Sequence, residues 1–212
     1  MRLPSPLYVI LDREAARGRD VRWLLDAVLA GGCRIVQLRE KRMPMANLHP
    51  LAVALAERCR QAGALFIVND RADLAMAVAA DGVHVGQDDL PAAAARQILP
   101  AKKILGVSTH DAGQARQALG DKADYVAVGS IFPTGTKAAF QLVGPDLVSA
   151  LRPEIPVPLV GIGGITLDNA EEVIAAGADA VAVISAVCAA SDPEAATRRL
   201  LERLESALRA RR

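Results

Sequence analysis

Aromatic side chains are scarce, at 3% of the 212 residues, with one Trp, two Tyr and three Phe. Such scarcity argues against the stacking platforms that hold single-stranded nucleic acid. An excess of one charge is missing too: 25 Lys and Arg oppose 24 Asp and Glu, giving a formal net charge of +1. No long-range field then draws the chain to nucleic acid or to an acidic membrane, and neither is expected as a partner. The three cysteines, Cys33, Cys59 and Cys188, are odd in number and show no C-x-x-C spacing, which suggests neither a disulfide framework nor a zinc site. The longest uncharged apolar run, 180–190, falls short of the roughly 20 residues a spanning helix needs. Pro4 and Pro6 are not followed by an apolar segment with a cleavage site, so no leader is expected and a cytoplasmic location is. No Ser/His/Asp or Cys/His nucleophile set suggests itself.

What is present is apolar bulk: 52% of residues are hydrophobic and 23% charged, enough to build a core and to exclude disorder. Short β-branched runs recur at 8–11, 34–39, 65–68, 82–85, 103–107, 125–128, 159–162 and 180–184. Between them lie Ala- and Leu-rich stretches that predict helices, among them 21–30, 45–61, 71–79, 112–119, 167–176 and 193–210. Strict alternation means a parallel sheet. Eight strand–helix pairs share 212 residues, about 26 each, which leaves nothing for a second domain. The reading is an α/β chain forming one (β/α)8 TIM barrel over 1–212. A weak repeat supports it: Ala80-Asp81-Gly-Val-His-Val, Ala123-Asp124-Tyr-Val-Ala-Val and Ala178-Asp179-Ala-Val-Ala-Val fall on strands four, six and eight. An open doubly wound sheet is the alternative, but Leu11-Asp12-Arg13-Glu14 lacks the G-x-G-x-x-G expected after a first strand.

Barrel sites lie at the C-terminal strand ends. After strand two comes Gln37-Leu38-Arg39-Glu40-Lys41, whose alternation sends Gln37, Arg39 and Lys41 toward the mouth and Leu38 and Glu40 the other way. Two unpaired cations there invite an anion. Asn69-Asp70-Arg71 ends strand three and Gln87-Asp88-Asp89 follows strand four. Asp70 and Asp89 thus sit on adjacent rim positions, a pair suited to magnesium bound with water and substrate phosphate. Helix N-capping is the alternative for both. The stretch 129–137, from Gly129-Ser130 to Thr136-Lys137, reads as a loop able to close on a ligand. Gly161-Ile-Gly-Gly164-Ile and Ile184-Ser185 expose backbone N–H groups where barrels bind phosphate. His84 reads as a hydrogen-bonded interior residue, and Ser108 as able to reach a ligand. His110 is open between a ligand role and a helix cap.

At these loops the chain resembles the thiamine-phosphate synthase family. The match runs through Gln37-Leu-Arg-Glu-Lys41, Asn69-Asp70-Arg71, Asp81-Gly-Val-His-Val-Gly-Gln-Asp-Asp89, Gly106-Val-Ser-Thr-His110, Gly129-Ser-Ile-Phe-Pro-Thr-Gly-Thr-Lys137, Gly161-Ile-Gly-Gly-Ile165 and Val183-Ile-Ser185. The resemblance implies a Mg2+-dependent transferase that joins hydroxymethylpyrimidine pyrophosphate to a thiazole phosphate, or its carboxylate, and releases pyrophosphate through a pyrimidine cation. It implies a pyrimidine pyrophosphate set of Gln37, Leu38, Arg39, Glu40, Lys41, Asn69, Ser108 and Lys137, with Arg39, Lys41, Ser108 and Lys137 serving catalysis. It implies a thiazole phosphate set of Thr134, Gly135, Thr136, Gly164, Ile184 and Ser185, and Asp70 and Asp89 as metal ligands. Two small-molecule substrates are the implied partners, and assembly into a homo-oligomer is left open. A thiazole tautomerase of related sequence should lack part of the Arg39, Lys41, Asp70, Asp89 and Lys137 set. A phosphate-binding sensor would bind without turnover.

Overall fold

The computed structural model describes residues 2–135 and 141–211. Eight strands of four to six residues close into a barrel in sequence order. They are β1 (Leu7–Asp12), β2 (Ile35–Arg39), β3 (Leu65–Asn69), β4 (Gly82–Val85), β5 (Ile104–Thr109), β6 (Tyr125–Val128), β7 (Leu159–Ile162) and β8 (Ala180–Val183). Every neighbouring pair is parallel, and β8 returns to β1 through Leu7↔Val181 and Val9↔Val183. The helices among the described residues are α1 (Val21–Ala30), α2 (Met45–Gln61), α3 (Ala72–Ala77), α4 (Ala92–Ile98), α5 (Ala112–Gly120), α6 (Gly144–Leu151), α7 (Ala170–Ala175), α8 (Ser185–Cys188) and α9 (Pro193–Ala210).

Period-two alternation sorts the strand residues into two cores. Val9, Val36, Leu38, Val83, Val126 and Val181 face outward into the large cluster shared with the helices. Tyr8, Ile10, Ile35, Ile67, Tyr125 and Ala182 fill the barrel itself. The repeated Asp plays the same part three times over. Asp81, Asp124 and Asp179 accept the backbone N–H groups of Phe66, Leu105 and Leu159 at 2.8, 2.8 and 2.9 Å. Each carboxylate thereby ties the start of one strand to the strand before it, engaging a donor that would otherwise be left at the barrel's closed end.

Two expected helices come out shorter, α3 and α7, and 184 leaves the strand to precede α8. The helices α4, α6 and α8 are not among the stretches that composition picks out. They run to seven, eight and four residues. Among the described residues no helix is long and apolar enough to cross a membrane.

Candidate active site

The rim of β1 and β2 holds the first cation. Asp12 and Arg39 are register partners, and the Arg39 guanidinium donates to the Asp12 carboxylate. Asp12 is 2% exposed, and its other oxygen accepts the Ala15 N–H at 2.9 Å. Lys41, just beyond β2, donates to Asp70 and lies 3.9 Å from Asp89. The expected unpaired cations are therefore corrected: both are already held by carboxylates, because leaving charge uncompensated at a half-dry rim is costly. Asp12 carries no sequence signal of its own, and only the register between β1 and β2 reveals it.

Leu38 and Glu40 do not point into the cleft. Leu38 lies in the outer core. Glu40 folds beneath the chain, accepting the Arg42 and Met43 N–H groups at 2.7 and 3.0 Å. Alternation turns both side chains away, as the sequence reading has them, which leaves their backbone as the part that faces the pyrimidine side.

Neither rim acid caps a helix. The residue preceding α3 is Arg71 and that preceding α4 is Pro91, both without a capping side-chain bond. Asp89 instead accepts the Gly86 N–H at 2.8 Å. Asp70 has a left-handed backbone, with φ of 63°, a conformation costly for a residue with a Cβ and one that concentrates at functional sites. Burial, then the neighbouring Asp89, push the Asp70 carboxyl up, with Lys41 pulling the other way. Burial also works on Asp89, but the hydrogen bonds from Asp70 and Gly86 and the charge of Lys41 outweigh it and hold that carboxyl down. The two acids thus share a site with only one charge fully favoured. Among the described residues no group of three or more His, Cys, Asp or Glu is placed to hold a metal. Two carboxylates are what magnesium asks of a protein when water and phosphate complete its shell, so the donor set fits that ion.

A polar chain crosses the barrel interior. Gln37 Nε2 donates to the Tyr8 hydroxyl at 2.7 Å, which lies 3.0 Å from the Tyr125 hydroxyl. Tyr125 lies 2.8 Å from His84 Nδ1, and His84 Nε2 lies 2.8 Å from Ser108 Oγ. His84 is thus the interior residue expected of it, and Ser108 reaches the cleft. Tyr8 and Tyr125 escape a reading of the sequence, because their alternation within apolar strands reads as core. Room for the Tyr125 ring comes from Gly106, where an added Cβ would stand 2.1 Å from Tyr125 Cζ.

Above this chain, Arg39, Ser108, His110, Thr134, Gly164 and Ser185 line one cleft open to solvent, with Ile184 on its wall. Gly164 is left-handed, with φ of 65°, and a Cβ there would stand 2.4 Å from the Pro133 carbonyl oxygen. The loop after β7 therefore sits against the loop after β6. Asp111, not His110, caps α5 by accepting from Gln114 N–H at 2.8 Å. His110 instead places Nδ1 on the Gly129 carbonyl. Asn69 ends β3 beside His84. Gly135 is exposed beside Thr134. Thr136 and Lys137 lie outside the described residues.

A family model described as thiamine monophosphate synthase matches residues 7–187. The thiamine-phosphate synthase of Moorella thermoacetica is 53% identical over 197 residues, covering 92% of this chain and 94% of that protein. Its counterpart in Chloroflexus aurantiacus is 48% identical, covering 92% and 90%. Among solved structures, thiamine phosphate pyrophosphorylase from Pyrococcus furiosus superposes with a TM-score of 0.89 at 38% identity, covering 95% of this chain and 96% of that one. A 3-hexulose-6-phosphate synthase at 21% identity and a TM-score of 0.67 shares the fold alone.

Proposed function

We propose a division of labour within the cleft that starts from a fixed premise: the chain belongs to the thiamine monophosphate synthase family. It is a transferase that condenses hydroxymethylpyrimidine pyrophosphate with thiazole phosphate, giving thiamine monophosphate and pyrophosphate. In our reading Arg39, Lys41, Asn69, Ser108 and Lys137 hold the pyrimidine pyrophosphate. Thr134, Gly135, Thr136 and the backbone at Gly164, Ile184 and Ser185 hold the thiazole phosphate. The observation that carries this reading is the single cleft in which Arg39 and Ser108 of one set meet Thr134, Gly164 and Ser185 of the other.

Asp70 and Asp89 would hold Mg2+, which supplies positive charge to the leaving pyrophosphate. Lys41 starts on the two acids and exchanges that partnership for the arriving pyrophosphate. Arg39, braced on Asp12, meets the same anion with its remaining N–H donors. The C–O bond of the pyrimidine methylene breaks with its electron pair on the pyrophosphate. The thiazole ring nitrogen then gives its own pair to that carbon, so no net proton is transferred and no protein nucleophile is called for. Holding the two substrates in line and neutralising the leaving group supply the rate. A cytoplasmic location belongs to the same proposal.

Titration of inorganic pyrophosphate with Mg2+ tests the division. Arg39→Ala should weaken that binding at least about tenfold, the worth of a charge-assisted hydrogen bond, and leave thiazole phosphate binding unchanged. Equal losses for both ligands would contradict it.

A further inference from the structure

The interior chain from Gln37 to Ser108 has a direction that donor counting determines. Burial pushes both phenols well up, so Tyr8 and Tyr125 each keep one proton to donate. The structure orients the Gln37 amide with Nε2 toward Tyr8, and in that orientation the side chain donates and Tyr8 Oη accepts. If Tyr125 also donated to Tyr8, the Tyr8 proton would have no acceptor among the described residues, at a position 1% exposed. That arrangement forfeits a buried hydrogen bond, so Tyr8 donates to Tyr125. Tyr125 in turn spends its proton on His84 Nδ1. With Nδ1 accepting, the neutral imidazole carries its proton on Nε2 and donates to Ser108 Oγ. Ser108 has then been used as an acceptor, and its own proton is left for the cleft it lines.

We propose that Gln37, Tyr8, Tyr125 and His84 form a one-way relay that makes Ser108 a hydrogen-bond donor, so that the pyrimidine side of the cleft selects a substrate presenting an acceptor atom there. Tyr8, Tyr125 and His84 are positioning residues, since they act on the substrate through Ser108. The assignment of the substrate rests on the functional reading above, whereas the relay's direction rests on the interior geometry and the orientation of the Gln37 amide. Reversing the relay would require the Gln37 position to accept from Tyr8. His84 would then carry its proton on Nδ1, and Ser108 would donate inward and present only lone pairs to the ligand.

The direction is measurable without turnover. The chain has three histidines, His49, His84 and His110, so 15N NMR of histidine-labelled protein resolves each ring, with His84→Gln assigning the signal. His84 should show a protonated Nε2 and a bare Nδ1 in the wild type. In Gln37→Glu, where an ionised carboxylate only accepts, the proton should move to Nδ1. A wild-type ring protonated on Nδ1, or a tautomer that Gln37→Glu leaves unchanged, would overturn the relay. The link to substrate is read by a double-mutant cycle of Tyr125→Phe and Ser108→Ala on kcat/KM, with urea unfolding to confirm that each variant folds; the tautomer measurement decides the relay whether or not they do. Each single change should cost about tenfold, one hydrogen bond's worth, and the pair no more than Ser108→Ala alone. Losses that multiply to about 100-fold would show a merely structural tyrosine. Correct tautomers in a protein that releases no pyrophosphate would leave the relay intact and remove the functional reading instead.

Discussion

Arg39 rests its guanidinium on the buried carboxylate of Asp12, its register partner across β1 and β2. The pairing fixes one end of the cleft before any substrate arrives. Asp12→Ala should therefore destabilise the fold by about 3 kcal/mol, the cost of breaking a largely buried pair from one side. It should also lower kcat/KM about 100-fold through a misplaced Arg39. Urea unfolding and steady-state kinetics check the two effects separately, and the Asp12→Ala/Arg39→Ala double variant should be no slower than Arg39→Ala.

Lys41 competes with a cation for Asp70 and Asp89. Its removal in Lys41→Ala should tighten Mg2+ binding to the substrate-free protein and still slow turnover, because the pyrophosphate loses a partner. Asp70→Asn should weaken Mg2+ binding at least about tenfold, since one of two protein carboxylates is gone. Calorimetric titration of Mg2+ into each variant decides both. An unchanged affinity in both variants would remove the acids from the metal site.

Gly106 is the space that Tyr125 occupies, with a Cβ placed 2.1 Å from the ring carbon bearing the hydroxyl. Gly106→Ala should destabilise by about 1–3 kcal/mol, the usual cost of overpacking. It should also break the Tyr125–His84 hydrogen bond. Thermal unfolding reports the first, and the His84 15N signals report the second.

The three thiols are buried. Burial pushes Cys33 up to about 11, Cys59 to about 12 and Cys188 to about 11, against an ordinary value of 9.0. Above pH 9.0 the unfolded chain loses thiol protons that the native chain keeps. Stability from this source is full below that pH and falls as pH rises toward 11–12. The urea midpoint should accordingly drop steadily above pH 9, and thiol reagents at neutral pH should label the protein only as fast as it unfolds.

Alternation within strands carries most of what the sequence discloses here. Leu38 outward and Gln37 inward follow from period two alone, as does His84 in the interior, and those positions are where the structure has them. Pairings across strands are different, because they depend on register and barrel closure. Asp12 becomes Arg39's partner only when β1 lies beside β2, and Tyr125 meets Tyr8 from 117 residues away. Lys41 reads in the sequence as a cation awaiting a ligand, and its contact with Asp70 depends on a left-handed turn after β3 that no residue pattern announces.

One cleft brings both substrates together in this proposal. Pyrophosphate release should be measured from the purified protein with pyrimidine pyrophosphate, thiazole phosphate and Mg2+, and with each left out in turn. Release at a catalytic rate is expected only when all three are present. Release at the same rate without thiazole phosphate, or none with the complete mixture, would contradict it.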